Sequence, residues 1–123
     1  MKKLLIIDDE EDLTFMLNEL FSSSGFETVI AHDGEQAILL LNSDKKIDMV
    51  LTDLFMPIRN GIDVIKEVNQ NHSHIPVFVI TAVSPIKADV EKMVEDFDVV
   101  KEIFLKPVSI KKLLDIVKSF FGN

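Results

Sequence analysis

The chain has 123 residues, and 47% of them are apolar, which is enough to build one hydrophobic core; we therefore expect one domain over residues 1–123. Acidic residues outnumber basic ones by 21 to 13, and the net charge of −8 disfavours direct binding to nucleic acid or to an anionic membrane. The absence of Cys excludes disulfides and thiolate metal sites. No apolar run approaches the roughly 18 residues of a membrane-spanning helix, so we expect a soluble, cytoplasmic protein.

Five short apolar blocks, rich in branched residues, predict five β-strands. Each block is nearly continuous rather than alternating, and this indicates strands that are buried on both faces, as in a parallel sheet. The blocks are Leu4–Ile7, Phe26–Ala31, Ile47–Leu51, Val77–Ile80 and Ile103–Leu105.

Helical patterns separate the strands, because apolar residues there recur at positions i, i+3, i+4 and i+7. The sets are Leu13, Met16, Leu17 and Leu20; Val90, Met93, Val94 and Phe97; and Ile110, Leu113, Leu114 and Val117. Helix boundaries are predicted by Gly25, Asp33 with Gln36, Asn60-Gly61 and Ser84-Pro85. Strict alternation of strands and helices predicts a doubly wound α/β fold with helices on both faces of the sheet.

Charged and hydroxyl side chains follow four of the predicted strands. Asp8 and Asp9 come after strand 1, Asp53 after strand 3, Thr81 after strand 4 and Lys106 after strand 5. Ligands of doubly wound folds bind beyond the carboxyl ends of the strands, where these residues should meet. Carboxylates held close together favour a cation, and an oxygen-only ligand set favours Mg²⁺, which in turn predicts phosphate chemistry.

Each of these residues also has a simpler explanation when it is taken alone. The acidic run after strand 1 is typical of a solvated helix start, Asp53 of a turn, and Lys106 of a surface position. The joint placement of the set at one edge of the sheet favours the site. The Gly-rich phosphate loops of nucleotide-binding folds are absent.

The chain resembles the receiver domains of two-component response regulators, specifically the stand-alone CheY-like type, over essentially its whole length. The matching motifs are Asp8-Asp9, Asp53-Leu54-Phe55-Met56-Pro57 with Gly61, Thr81-Ala82, and Lys106-Pro107. The resemblance implies a flavodoxin-like (βα)5 fold with strand order 2-1-3-4-5 and a cis bond before Pro107.

The resemblance also implies a role for each motif residue. Asp53 is the phosphoacceptor, and Mg²⁺ is bound by Asp8, Asp9, Asp53 and the backbone carbonyl of Phe55. The phosphoryl-binding and switch residues are Thr81, Ala82 and Lys106, while Met56, Pro57, Gly61 and Pro107 shape the loops. The implied partners are a histidine kinase or histidine phosphotransfer protein and a downstream protein.

Two departures from the family pattern modify these expectations. The switch position three residues before Lys106, aromatic in the family, is Ile103, so we hypothesise that switching depends on the loop after strand 4. The positions two residues after Asp53 and Thr81 are the apolar Phe55 and Val83. Because apolar cover should hinder an attacking water, we expect slow autodephosphorylation.

Three functions compete. The leading hypothesis is a phosphorylation-dependent switch that is not an enzyme beyond self-phosphorylation and slow autodephosphorylation. The fifth helix is expected to end near residue 120, so output is expected through a partner. The alternatives are a constitutive binding module, for which Asp53→Asn would leave partner binding unchanged, and a Mg²⁺-dependent phosphohydrolase, which would turn over a phosphoester.

Overall fold

The structure, a computed structural model, describes residues 1–43, 46–56, 58–82 and 87–122. Strands and helices alternate strictly along the chain, as predicted. The strands are β1 (Lys3–Ile7), β2 (Glu27–Ala31), β3 (Met49–Thr52), β4 (Val77–Thr81) and β5 (Val100–Leu105). The helices are α1 (Glu11–Ser23), α2 (Gly34–Ser43), α3 (Gly61–Asn71), α4 (Lys87–Val94) and α5 (Ile110–Phe120). Within these residues, none of the helices is long and apolar enough to cross a membrane.

The five strands form one parallel sheet in the order β2-β1-β3-β4-β5. Ile7 at the end of β1 pairs with Ala31 on one side and with Thr52 on the other, so these strands end at the same edge of the sheet. β3 and β4 are buried along their whole length, which explains their uninterrupted apolar sequences. The predicted doubly wound, flavodoxin-like fold and its strand order are confirmed.

Each face of the sheet carries its own hydrophobic core. One core contains buried residues of α2, α3 and α4, such as Leu41, Val64 and Val90. The other contains buried residues of α1 and α5, including Phe21 and Leu113. Burial of each such side chain stabilises the fold by roughly 1.5–3 kcal/mol. The helices are therefore held on both faces of the sheet, and its carboxyl edge is left free for polar groups.

Several predicted helix boundaries are confirmed. Gly25 has a φ of 94° just after the end of α1, a left-handed conformation that favours glycine. The Asn60 side chain accepts a hydrogen bond from the Asp63 amide at the start of α3. Asp33 accepts from the Gln36 amide at the start of α2, as the sequence pattern predicted. Ser84-Pro85, predicted to begin the fourth helix, lies outside the described residues.

The structure corrects three details of the predicted elements. Met16 and Met93, which were assigned to apolar helix faces, are exposed. Phe97 follows α4, which ends at Val94. β5 begins at Val100 and not at Ile103, and its exposed Lys101 and Glu102 obscured this start in the sequence. Charged side chains are tolerated there because β5 is an edge strand.

Candidate functional site

Four strand ends bring the predicted site residues to the carboxyl edge of the sheet. Asp8 and Asp9 follow β1, Asp53 follows β3, Thr81 is the last residue of β4, and Lys106 follows β5. The Asp53 amide donates a hydrogen bond to the Ile7 carbonyl, and the Lys106 amide donates one to the Thr81 carbonyl. These backbone bonds continue the strand pairing past the last residues of the strands. The sheet therefore fixes where the side chains project.

The Lys106 ammonium lies among three carboxylates. Its Nζ is 2.9 Å from Oδ2 of Asp8, 3.2 Å from Oδ2 of Asp53 and 3.3 Å from Oε2 of Glu10. Asp8 and Asp53 are only 3% and 6% exposed, whereas Glu10 is largely exposed. The two buried contacts dominate, because ion pairs are screened far less when water is excluded.

Burial and charge shift the pKa values at this centre in identifiable directions. Burial raises the pKa of Asp8 above its ordinary value, although the Glu10 amide and Lys106 act to lower it. For Lys106, burial acts to lower the pKa, but hydrogen bonds and charge from Asp8 and Asp53 outweigh burial and raise it. The lysine is therefore firmly protonated near neutral pH.

An acidic cluster suited to a divalent cation adjoins this lysine. Carboxylate oxygens of Asp8, Asp9 and Asp53 all lie within 4.8 Å of one another. Asp9 is exposed, so the cluster is open to solvent on one side. Its donor atoms are all hard oxygens, which is the chemistry that Mg²⁺ prefers. The residues therefore fit the cofactor expected from the sequence.

Thr81 and Ala82 line the same edge. The Thr81 hydroxyl is fully buried and has no hydrogen-bond partner among the described residues. A buried hydroxyl left unpaired costs roughly 1–3 kcal/mol, so a ligand that accepts from it would recover this energy. Ala82 is exposed at the start of the loop that follows β4.

The loop after β3 is packed tightly against Asp53. The Gly61 amide donates to the Leu54 carbonyl at 2.8 Å, and a Cβ at Gly61 would lie 2.0 Å from the Asp53 carbonyl oxygen. Only glycine permits this approach. The Phe55 amide donates to Oδ1 of Asp53 at 3.3 Å, while the Phe55 side chain is exposed.

The remaining predicted loop residues are placed as follows. Met56 is half-buried against the α2–α3–α4 core, and Pro57 lies outside the described residues. The peptide bond between Lys106 and Pro107 is cis, as the resemblance implied. Val83, expected to hinder water, also lies outside the described residues.

The side chain of Ile103 is aliphatic, so it forms no hydrogen bond or ion pair with the site residues. It packs against the α2–α3–α4 core, whereas its neighbour Phe104 packs on the opposite face of the sheet. Because adjacent residues of a strand point to opposite faces of the sheet, Phe104 does not take the place of Ile103 at the switch position.

One contact at the site was not predicted. Glu10 touches Lys106 through its side chain and donates its backbone amide to Oδ1 of Asp8 at 2.9 Å. The available signal was its place in the acidic run directly after strand 1, but no role was assigned to it. Glu10 thereby links the lysine to the acidic cluster.

Comparison with known proteins identifies the family to which this arrangement belongs. The family profile described as the response regulator receiver domain matches residues 4–118. The chain belongs to the response regulator receiver domain family. Receiver domains are phosphorylation-dependent switches of two-component systems and not enzymes of the usual kind.

Individual relatives show how far the receiver-domain similarity extends. The transcriptional regulatory protein CpxR of Klebsiella pneumoniae subsp. pneumoniae (strain HS11286) is 48% identical over 82 residues, which cover 67% of this chain and 34% of that protein. This match thus spans about a third of the length of CpxR. Sporulation initiation phosphotransferase F of Bacillus subtilis (strain 168) is 29% identical over 119 residues, covering 97% of this chain and 93% of that protein.

A solved structure supports the same family assignment. A chain of the CheX-CheY-BeF3-Mg²⁺ complex from Borrelia burgdorferi superposes with a TM-score of 0.86 at 29% identity. The superposition covers 99% of this chain and 90% of that chain. The receiver fold is therefore shared over nearly the entire length of both.

Proposed function

We propose that this receiver domain, residues 1–123, accepts a phosphoryl group on Asp53 and signals through protein–protein contacts. The observation that carries the proposal is the surroundings of Asp53. Its nearly buried carboxylate lies 3.2 Å from the Lys106 ammonium and within 4.8 Å of carboxylate oxygens of Asp8 and Asp9. A reactive carboxylate, a fixed positive charge and a set of cation ligands are together what an acyl-phosphate site requires.

In the proposed reaction, a carboxylate oxygen of Asp53 attacks phosphorus and forms the new P–O bond. The bond from phosphorus to the donor breaks, and its electron pair leaves with the imidazole of a phosphohistidine or with the acetate of acetyl phosphate. Lys106 supplies a positive charge beside the attacking carboxylate and then beside the transferred group. This chain therefore contributes by positioning the reacting groups and by stabilising charge, and no proton has to be removed from Asp53.

Asp8, Asp9, Asp53 and the backbone carbonyl of Phe55 are proposed to hold Mg²⁺. When bound, the ion supplies neutralising charge for the phosphoryl oxygens. The chain's own part is to hold the carboxylates together. The Glu10 and Phe55 amides do this by donating hydrogen bonds to Asp8 and Asp53.

The conformational switch is proposed to begin at Thr81 and Ala82. Phosphorylation adds up to about two negative charges and several acceptor oxygens at neutral pH. The buried Thr81 hydroxyl, which lacks a partner among the described residues, gains an acceptor when it turns towards the phosphoryl group. Movement of Thr81 displaces the loop that Ala82 begins, and this changes the surface offered to a partner.

The proposed partners are a histidine kinase or histidine phosphotransfer protein as donor and a further protein as the recipient of the signal. The net charge of −8 supports neither direct nucleic-acid contact nor anionic membrane contact by this domain. We place the domain in the cytoplasm, where histidine kinases have access to ATP. Autodephosphorylation is proposed to be slow, because the positions two residues after Asp53 and Thr81 are occupied by the apolar Phe55 and Val83.

The proposal is tested by intact-mass spectrometry after incubation with acetyl phosphate, with and without Mg²⁺. The native chain should gain one phosphoryl group only when Mg²⁺ is present. Asp53→Asn should gain none, while Asp98→Asn, which alters an exposed aspartate outside the site, should behave like the native chain.

Two outcomes would replace the proposal. Equal labelling of Asp53→Asn and the native chain would place the phosphoryl group elsewhere. No labelling of either protein, with Mg²⁺ binding intact, would favour the constitutive binding module, and continuous release of phosphate from phosphoesters would favour the phosphohydrolase.

A further inference from the structure

An unusual backbone conformation occurs in the loop between β3 and α3. Ile58 has a φ of 68°, and it is the non-glycine residue with positive φ in the described part of the chain. A β-branched residue is strongly disfavoured in this left-handed region, because its Cβ substituents crowd the backbone. Strain of this kind persists only where the surrounding structure enforces it, and it is concentrated at functional sites.

The backbone around Ile58 is fixed by its neighbours. The Arg59 carbonyl accepts a hydrogen bond from the Gly34 amide at 3.0 Å, and the Arg59 side chain lies 3.8 Å from Glu35 and 4.0 Å from Asp63. The Gly61 amide closes the base of the loop on the Leu54 carbonyl. The loop would keep its shape with Gly or Asn at position 58, both of which adopt positive φ more readily.

The Ile58 side chain does not stabilise the fold by packing, because it is 80% exposed. An exposed isoleucine in a left-handed conformation is therefore unfavourable both for its backbone and for its apolar surface. The Ile58 side chain therefore adds nothing to the packing of the isolated domain. The cost is explained if the side chain is buried when another protein binds.

The position of the loop indicates which protein that is. The loop begins directly after Asp53, and the residue that follows the loop, Gly61 at the start of α3, packs against the Asp53 backbone. Asp53 is only 6% exposed. A protein that carries a phosphohistidine therefore has to bind to the rim of the site, the residues that surround Asp53 at the carboxyl edge of the sheet, in order to reach it. The rim on the β1 side carries the acidic run from Asp9 to Asp12 and, further along α1, the exposed apolar side chains of Phe15 and Met16. An apolar contact on the loop side would add attraction that salt does not screen.

We propose that Ile58 is a specificity-determining contact residue for the protein that phosphorylates Asp53. This inference rests on the proposed function of the site. It assigns Ile58 a role in recognition and none in the chemistry at phosphorus. The strained, exposed side chain becomes buried in the complex with the donor, and the loop that carries it is already held in the required shape.

The test measures phosphorylation by two donors on the same variants. The first donor is acetyl phosphate. The second is an autophosphorylated histidine kinase cytoplasmic fragment, chosen from a panel as the fastest donor to the native chain. For Ile58→Asn, the ratio of the kinase rate constant to the acetyl phosphate rate constant should fall about tenfold, or ~1.4 kcal/mol. The loss should lie in KM, and the fold-change should be the same at low and high salt.

Two controls separate recognition from stability. Leu39→Asn removes another exposed apolar side chain, 63% exposed on α2, and should leave the ratio unchanged. Ile58→Asn and Ile58→Gly should both raise the urea midpoint of unfolding, because they relieve the backbone strain.

The result that overturns the inference is an unchanged rate ratio for Ile58→Asn, or a lower urea midpoint for both Ile58 variants. Failure of the proposed function looks different, because acetyl phosphate would then label neither the native chain nor any variant. The two failures are thus distinguished by the native chain alone.

Discussion

Replacement of Lys106 by Met is expected to destabilise the domain in the absence of Mg²⁺. Methionine keeps an unbranched apolar side chain and removes the charge, leaving Asp8 and Asp53 nearly buried without the ammonium that lies 2.9 Å and 3.2 Å from them. Breaking a buried ion pair on one side typically costs about 3–5 kcal/mol. The cost is limited, because Asp8 can protonate, which from an ordinary pKa of 3.8 at pH 7 costs roughly 4 kcal/mol. We therefore expect a loss of about 3–4 kcal/mol.

The pH dependence of this loss has a definite sign. The pKa of Lys106 is raised in the folded state, so its stabilisation of the native chain is present below an unfolded pKa of 10.5 and is lost only at strongly alkaline pH. The pKa of Asp8 is raised mainly by burial, and Lys106 opposes this. Without Lys106 the Asp8 pKa rises further, so the variant should recover stability as pH falls and Asp8 binds its proton. The difference between native chain and variant should be largest near pH 7 and smaller near pH 5.

The assay is urea unfolding followed by far-ultraviolet circular dichroism, since the chain has no Trp or Tyr to report by fluorescence. Lys101→Met is the matched control, because Lys101 is exposed on β5, and its replacement should cost little at either pH. Added Mg²⁺ should restore part of the lost stability of Lys106→Met by neutralising the same carboxylates. Equal losses for the two lysine variants, or a loss that does not shrink at low pH, would refute the reasoning.

Three further predictions concern the residues around the proposed phosphorylation site. Thr81→Val should raise the free energy of unfolding of the unphosphorylated domain by about 1 kcal/mol in urea titrations. The reason is that it removes a buried hydroxyl without a partner among the described residues. A loss of stability would contradict the claim that this hydroxyl is unpaired. Ile103→Ala should preserve the phosphorylation-induced change in hydrogen exchange, whereas Thr81→Ala should abolish it. If both variants lost this change equally, the hypothesis that switching depends on the loop after β4 would be wrong. Phe55→Asn should accelerate loss of the phosphoryl group by about tenfold, the effect of one hydrogen bond that positions water, as measured by intact mass over time; an unchanged lifetime would contradict this reasoning.

Much of the fold could be predicted because the sheet is parallel and its central strands are buried on both faces. β1 and β4 each extend only one residue beyond the predicted block, since nothing polar interrupts their apolar runs. β5 was predicted three residues too short, because edge strands accept charges such as Lys101 and Glu102. The exposure of Met16 could not be predicted, because the apolar spacing on α1 fits more than one helix face. The face that is buried contains the polar Thr14, which the apolar pattern does not mark.

The convergence of the site residues was predictable, but their contacts were not. Asp8, Asp53 and Lys106 each follow a strand in the sequence, and the parallel direction of the strands brings these positions to one edge of the sheet. Whether the lysine contacts one carboxylate or three depends on side-chain rotamers, which spacing does not determine. The conformation of Ile58 was not predicted either, since its residue type argues against positive φ.

The proposed phosphorylation of Asp53 is tested by locating the modified residue in the chain. After phosphorylation with acetyl phosphate and Mg²⁺, borohydride reduction converts an aspartyl phosphate to homoserine, which peptide mass spectrometry identifies by position. We expect homoserine at position 53 alone, and only in samples that contained Mg²⁺. Homoserine at position 8 or 9, or a phosphoryl group on a hydroxyl side chain that resists reduction, would show that Asp53 is not the phosphoacceptor.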